Sequence, residues 1–122
     1  MKTFNNFIIE KILINKDTNV DNHEYYNKIV DIINKCCIDD ADLSNDNYVI
    51  HREDKGNGLK VKIEFSSKNI FPTSKKFRRY SLYRFIFYQL IKTFNDALTD
   101  GWSDITSNCI FFTFDKNKFN NI

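Results

Sequence analysis

Two histidines, His23 and His51, and three cysteines, Cys36, Cys37 and Cys109, are the side chains in this 122-residue sequence best suited to nucleophilic or metal chemistry. Covalent catalysis needs a thiol or hydroxyl within hydrogen-bond reach of a base, and a third group to orient that base. None of the five stands in a recognisable setting of that kind. Cys36 and Cys37 are adjacent, so they lack the two-residue spacer of a zinc knuckle, and no second Cys or His pair completes a tetrad. The "GNG" at 56–58 has neither the following Lys nor the helix start of a phosphate-binding loop. Asp39 and Asp40 fall in a polar run, where carboxylates are solvated and do not form an acid–base pair. The expectation is a protein that is not an enzyme and holds no cofactor.

One acidic stretch, "DLSNDNYVIHRE" at 42–53, resembles the calcium loop of the EF-hand family. Asp42, Ser44 and Asp46 occupy its first, third and fifth positions, Val49 the apolar eighth and Glu53 the twelfth. It departs from the family at Asn47, where the turn wants Gly, at Ile50, where a ligand or water is usual, and at "DKGNG", which replaces the second helix. The residues read better as an acidic turn leading into a hairpin strand, so no metal is expected.

Binding chemistry is concentrated in "KKFRRYSLYRFIFYQL", residues 75–90. Placed at 100° per residue, Tyr80, Tyr83, Phe87, Leu90, Ile91, Phe94, Ala97 and Leu98 form one apolar stripe suited to packing on a sheet. The opposite side carries Arg78, Ser81, Phe85, Tyr88, Gln89 and Lys92, with Arg84 at its edge. Aromatic anchors ringed by cations are the composition of protein hot spots and of nucleic-acid surfaces alike. Arg78, Arg79, Arg84, Phe85, Tyr88 and Lys92 are therefore the expected partner-binding residues, with Phe85 and Tyr88 as anchors. Lys75, Lys76, Arg78 and Arg79 also gather at the positive end of the helix dipole, which is unfavourable by about 0.3–1 kcal/mol per exposed charge. An acidic group must compensate: the loop bearing Asp39, Asp40, Asp42 and Asp46, a phosphate, or an acidic partner.

The elements that position these residues follow from periodicity. "FIIEKILIN" at 7–15 reads as a strand, with a helix as its competitor. Asp21 caps a helix through "HEYYNKIVDIINKCC", whose apolar residues recur at three- and four-residue spacing. "NYVIHR" and "LKVKIEF" flank the glycines of a hairpin turn, with Val61, Ile63 and Phe65 on one face and Lys60, Lys62 and Glu64 on the other. Pro72 with Thr73 or Ser74 opens a long helix that runs to about Leu98 and is stopped by "TDGW" at Gly101. "CIFFTF" is a strand, and the polar residues 115–122 form a frayed tail.

The predicted fold class is α+β: a small antiparallel sheet with two helices on one face. It is β-α-β-β-α-β, ferredoxin-like, or an α-α-β-β-α-β variant if residues 7–15 are helical. The first order resembles that of RNA-recognition modules, but "GLKVKIEF" lacks the stacking rings of their RNP1 pattern. Lys60, Lys62, Lys75, Lys76 and Phe111 are the candidate residues of an alternative nucleic-acid face.

Twelve Phe, six Tyr and one Trp give residues 1–122 enough apolar bulk for a single domain. Residues 17–54 hold ten acids against three bases, and residues 60–92 hold nine bases against one acid. No apolar run is long enough to span a bilayer, and "FIIEKILI" is broken by charge where a signal core would be apolar. An odd number of cysteines implies no disulfide framework. A cytoplasmic protein without membrane contact is expected. Abundant Asn and Lys with three Gly and one Pro suggest AT-rich coding of the kind common in phages and mobile elements. The functional expectation is an anti-defence type inhibitor that docks on a host protein or nucleoprotein, with direct nucleic-acid binding as the alternative.

Overall fold

The computed structural model describes residues 16–67, 70–71 and 78–121, with side chains from residue 23 to residue 119 within those ranges. Residues 7–15, Pro72, Thr73, Ser74, Lys75 and Lys76 lie outside the described residues, as do the expectations placed on them.

Helix α1 spans Lys16–Asn34 and continues into a wider, π-helical turn over Lys35–Asp40. It begins before Asp21, which lies inside the helix and is not its cap. Its buried side is Ile29, Ile33, Cys36 and Cys37, flanked by half-buried Tyr25, Tyr26 and Ile32, as the spacing predicts. The π turn inserts one extra residue per hydrogen-bonded ring, closed by the Ala41 amide donating to the Cys36 carbonyl at 2.9 Å. Both adjacent thiols thereby end up buried.

Strands β1 (Tyr48–Lys55) and β2 (Gly58–Phe65) form the predicted hairpin, with Lys55 opposite Gly58. The turn needs a left-handed residue and has one in Gly56, at φ +59°. Leu59, Val61, Ile63 and Phe65 are buried, while Lys60, Lys62 and Glu64 face the other way.

Helix α2 covers Arg79–Phe94 and is shorter at both ends than the sequence suggests: Arg78, expected inside it, is extended at φ −102° and ψ 172° and caps it. Asn95 takes φ 51°, its amide closing the last turn on the Ile91 carbonyl, and a 3-10 turn over Asn95–Ala97 follows. The "TDGW" expected to stop a helix instead lies within strand β3 (Leu98–Asp104). β4 (Cys109–Asp115) is the predicted "CIFFTF" strand. The four strands form one antiparallel sheet ordered β1-β2-β4-β3.

The architecture of the described residues is thus α+β, with two helices and a four-stranded antiparallel sheet. A ferredoxin-like order has one strand after the second helix; here a hairpin follows it, and β4 takes the place beside β2. Leu82, Ile86, Leu90 and Phe94 of α2 join Ile29 and Ile33 of α1 and the inward row Val61, Ile63, Ile110 and Phe112 in a single core. Among the described residues no helix lies on the other sheet face.

The tail corrects a further expectation. Residues Lys116–Asn121 do not fray but form a 3-10 turn, because Phe119 is fully buried and stacks on Tyr25 with ring centroids 4.8 Å apart. Lys116 ties the same segment to the hairpin through Asp54, at 3.1 Å.

The buried Tyr48 hydroxyl donates to the Asn34 side-chain oxygen at 2.6 Å, joining the start of β1 to the end of α1. Tyr48→Phe leaves the Asn34 acceptor without that partner and is expected to cost about 1 kcal/mol. Urea unfolding of Tyr48→Phe, Asn34→Ala and the double variant checks it; strictly additive losses would count against the bond.

Candidate functional site

α2 is the element on which sequence and structure must be compared residue by residue. The side chains it buries completely are Leu82, Ile86, Leu90 and Phe94, at strict four-residue spacing. Tyr83, Phe87 and Ile91 flank that row and are half-buried. The helix is therefore rotated from the expected stripe: aliphatic Leu82 and Ile86 meet the sheet, and Tyr80, assigned to the core, is 57% exposed. Of the two expected anchors, Phe85 is half-buried and packs against the core, whereas Tyr88 is 60% exposed.

These shifts bring Tyr80, Arg84, Tyr88 and Lys92 onto one line at i, i+4, i+8 and i+12, all four exposed. With a rise of 1.5 Å per residue, successive rungs are about 6 Å apart. The Arg84 guanidinium lies 6.0 Å from the Tyr80 ring centre, and the Lys92 ammonium 5.3 Å from that of Tyr88. α2 contains no Asp or Glu from Arg79 to Phe94. The result is a ridge that alternates ring and cation.

Beside the ridge is a shallow hollow of about 280 Å³ lined by Tyr80, Tyr83, Arg84, Phe87 and Tyr88. Two of the rings that line it, Tyr83 and Phe87, rest against Gly101 of β3. A Cβ there would stand 3.0 Å from Phe112, 3.1 Å from Phe87 and 3.2 Å from Tyr83, so only a residue without one lets these rings lie on the strand. The Gly101 backbone is capped on both sides: Tyr83 Oη donates to its carbonyl at 2.9 Å, and Asp100 Oδ1 accepts from its amide at 2.8 Å. Such capping blunts the edge of β3 against pairing with another strand.

Arg79 departs from its expected role. Its Nε donates to Ser103 Oγ at 3.0 Å and its Nη1 to Asn108 Oδ1 at 3.2 Å, which fastens α2 to the β3–β4 turn. Asp104, the last residue of β3 before that turn, has its carboxyl held below the ordinary range, first by the Ser107 hydroxyl, then by the Thr106 and Ser107 amides and the Arg79 charge. Asp104 is thus one acid within electrostatic reach of Arg79, and it lies outside the acidic loop expected to compensate the helix start. Arg78 is exposed just before the helix, its amide donating to Ser81 Oγ at 2.7 Å.

The sheet face turned away from α1 and α2 carries the alternative site. Cross-strand register places His51, Lys62, Phe111 and Trp102 in one row. Trp102 stacks on Phe111 with centroids 4.8 Å apart and planes at 17°. The Lys60 ammonium lies 5.0 Å from Phe111 and 5.9 Å from Trp102. Lys60, Lys62 and Phe111 do come together, but Phe111 is only 9% exposed, and Trp102, at 37%, is the ring that meets solvent. The same face also holds Glu53, Glu64, Asp100 and Asp104, and Glu64 accepts His51 at 2.8 Å. Trp102 was legible only as part of a turn, so its place opposite Phe111 could not be read before the strand was known.

The chemical candidates are dispersed. Burial pushes the Cys36 thiol up to about 11 and the Cys37 thiol to about 12, the opposite of what a thiolate nucleophile requires. The Cys109 thiol is buried and donates to the Ser107 carbonyl at 3.3 Å. In the calcium-loop lookalike, Ser44 is paired with Asn47 around a 3-10 turn, and Glu53 is carried off along β1. Among the described residues no group of three His, Cys, Asp or Glu is placed to hold a metal ion. None of the described helices is long and apolar enough to cross a membrane. No known family model matches the chain, and no curated protein or solved structure matches it.

Proposed function

We propose that this protein is a non-enzymatic binding protein that acts by occupying a macromolecular partner, with the exposed ridge of α2 as its docking surface. The observation that carries the reading is the line Tyr80, Arg84, Tyr88, Lys92: two largely exposed tyrosines, each attended by a cation, on a helix without acids. An ordinary solvated helix face gains nothing from exposed rings, whereas rings and guanidinium groups are the side chains most enriched at energetic centres of interfaces. The ridge charge selects an anionic partner surface and speeds encounter with it. In its most specific form the protein is a phage or mobile-element inhibitor that docks on a host protein or nucleoprotein. The composition supports that origin, and the ridge supports the docking.

The test is affinity capture from the natural host with wild type beside Tyr80→Ser/Tyr88→Ser and Arg84→Glu. Loss of one hot-spot residue costs about 2 kcal/mol or more, so each variant is expected to weaken the captured complex by at least roughly 30-fold. Circular dichroism must show both variants folded, as the exposure of these side chains implies. Phe85→Ser serves as the contrast: packed against the core, it lowers stability first. A partner held equally by wild type and both ridge variants would remove α2 as the site.

A further inference from the structure

We infer that the group gripped by the α2 ridge is single-stranded nucleic acid, with bases stacked on Tyr80 and Tyr88 and phosphates held by Arg84 and Lys92. The inference rests on the ridge being the docking surface proposed above, and it names that surface's ligand.

Proteins that bind single strands without reading sequence combine a cationic track with ring faces on which successive bases stack. The ridge has both parts in alternation. Its two exposed rings are two helical turns apart with Arg84 between them and Lys92 beyond, and no carboxylate interrupts α2. The hollow alongside adds a slot for one base, walled by Tyr80, Tyr83, Phe87 and Tyr88 with Arg84 at its side. A base lying there has rings to stack on and a guanidinium at hand for its phosphate. A duplex keeps its base faces stacked inward, so it would engage the cations and leave the tyrosines idle.

The sheet face is the poorer surface for a polyanion. Lys60 and Lys62 share it with Glu53, Glu64, Asp100 and Asp104, and the Phe111 ring is already covered by its neighbours. Charge complementarity thus assigns the strand to the helix side of the molecule.

The experiment is fluorescence anisotropy on the full chain with labelled oligo-dT and oligo-rU of about 15 nucleotides and a duplex of equal length, at about 50 mM salt. Micromolar binding of the single strands is expected, at least tenfold tighter than of the duplex. Tyr80→Ala/Tyr88→Ala and Arg84→Gln should each weaken it about tenfold or more, Tyr80→Phe/Tyr88→Phe should restore it, and Lys60→Gln and Trp102→Ala should leave it within about twofold. With Arg84 and Lys92 each neutralising one phosphate, affinity falls roughly 7-fold between 50 and 200 mM salt. The assignment is overturned by no binding at micromolar protein, by duplex bound as well as single strand, by loss on the sheet-face variants instead of the ridge variants, or by polyglutamate competing as well as unlabelled oligonucleotide. If oligonucleotides do not bind while ridge variants still release a captured host protein, this inference falls and the docking reading stands.

Discussion

Gly101→Ala lowers the unfolding free energy by about 1–3 kcal/mol, the range for an extra methyl forced into a packed site. The sign is opposite to the usual one. Where the backbone tolerates it, replacing Gly with Ala stabilises by about 0.4–1 kcal/mol, because the unfolded chain loses freedom. At Gly101 the new Cβ would meet ring carbons of Phe112, Phe87 and Tyr83 on three sides, at 3.0, 3.1 and 3.2 Å. Phe112 is fully buried and stacked on Tyr83, so it has little room to withdraw. The readout is urea unfolding of Gly101→Ala, Phe112→Leu and the double variant. Trimming Phe112 removes the nearest obstruction, so the double variant should be more stable than the sum of the two losses predicts. A neutral or stabilising Gly101→Ala would show that the rings of Phe112, Phe87 and Tyr83 do not rest on this glycine.

The same corner shows where sequence reading stops. The β1–β2 hairpin was legible because alternation and a glycine turn agree, and β4 because a short apolar run has few other uses. α1 was legible from the spacing of Tyr25, Ile29, Ile33 and Cys36, though its start was not. β3 was hidden: "LTDGWSD" has only two large apolar residues, Leu98 and Trp102, among polar ones, and its strand character comes from pairing with β4, a non-local cause. The α2 wheel failed for a related reason. The wheel counted the tyrosines as apolar and passed over Leu82 and Ile86, yet the sheet accepts the aliphatic row Leu82, Ile86, Leu90 and leaves Tyr80, with its polar hydroxyl, at the rim. Of the candidate partner residues, Arg84, Tyr88 and Lys92 lie together on the ridge, Arg78 is exposed before it, Phe85 turns toward the core and Arg79 is spent on the β3–β4 turn. Phe119 was missed because a lone ring in a polar tail has no period to reveal it.

Stability is expected to hold near neutral pH and to fall steeply above about pH 9. The cause lies where the π turn meets β1. Cys36 and Cys37 ordinarily ionise near 9.0, but burial pushes them to about 11 and about 12, with Asp40 adding to the first and Cys36 to the second. Tyr48 is pushed to about 12, mainly by burial and also by Cys37. An acid whose pKa is raised in the folded state keeps its proton there after the unfolded chain has released it. Below pH 9 both states are protonated and nothing is lost; between 9 and the folded values the unfolded state binds fewer protons and is favoured as pH rises. Each such thiol contributes a loss of about 1.4 kcal/mol per pH unit across that window. Urea unfolding from pH 7 to 10.5 measures the slope. Cys37→Val, close in volume but unable to ionise, should remove one thiol's share of it and leave stability at pH 7 within about 1.5 kcal/mol of wild type. An unchanged slope in that variant would mean that the Cys37 thiol ionises as readily in the folded protein as in the unfolded chain, and that the π turn does not shut it away from water.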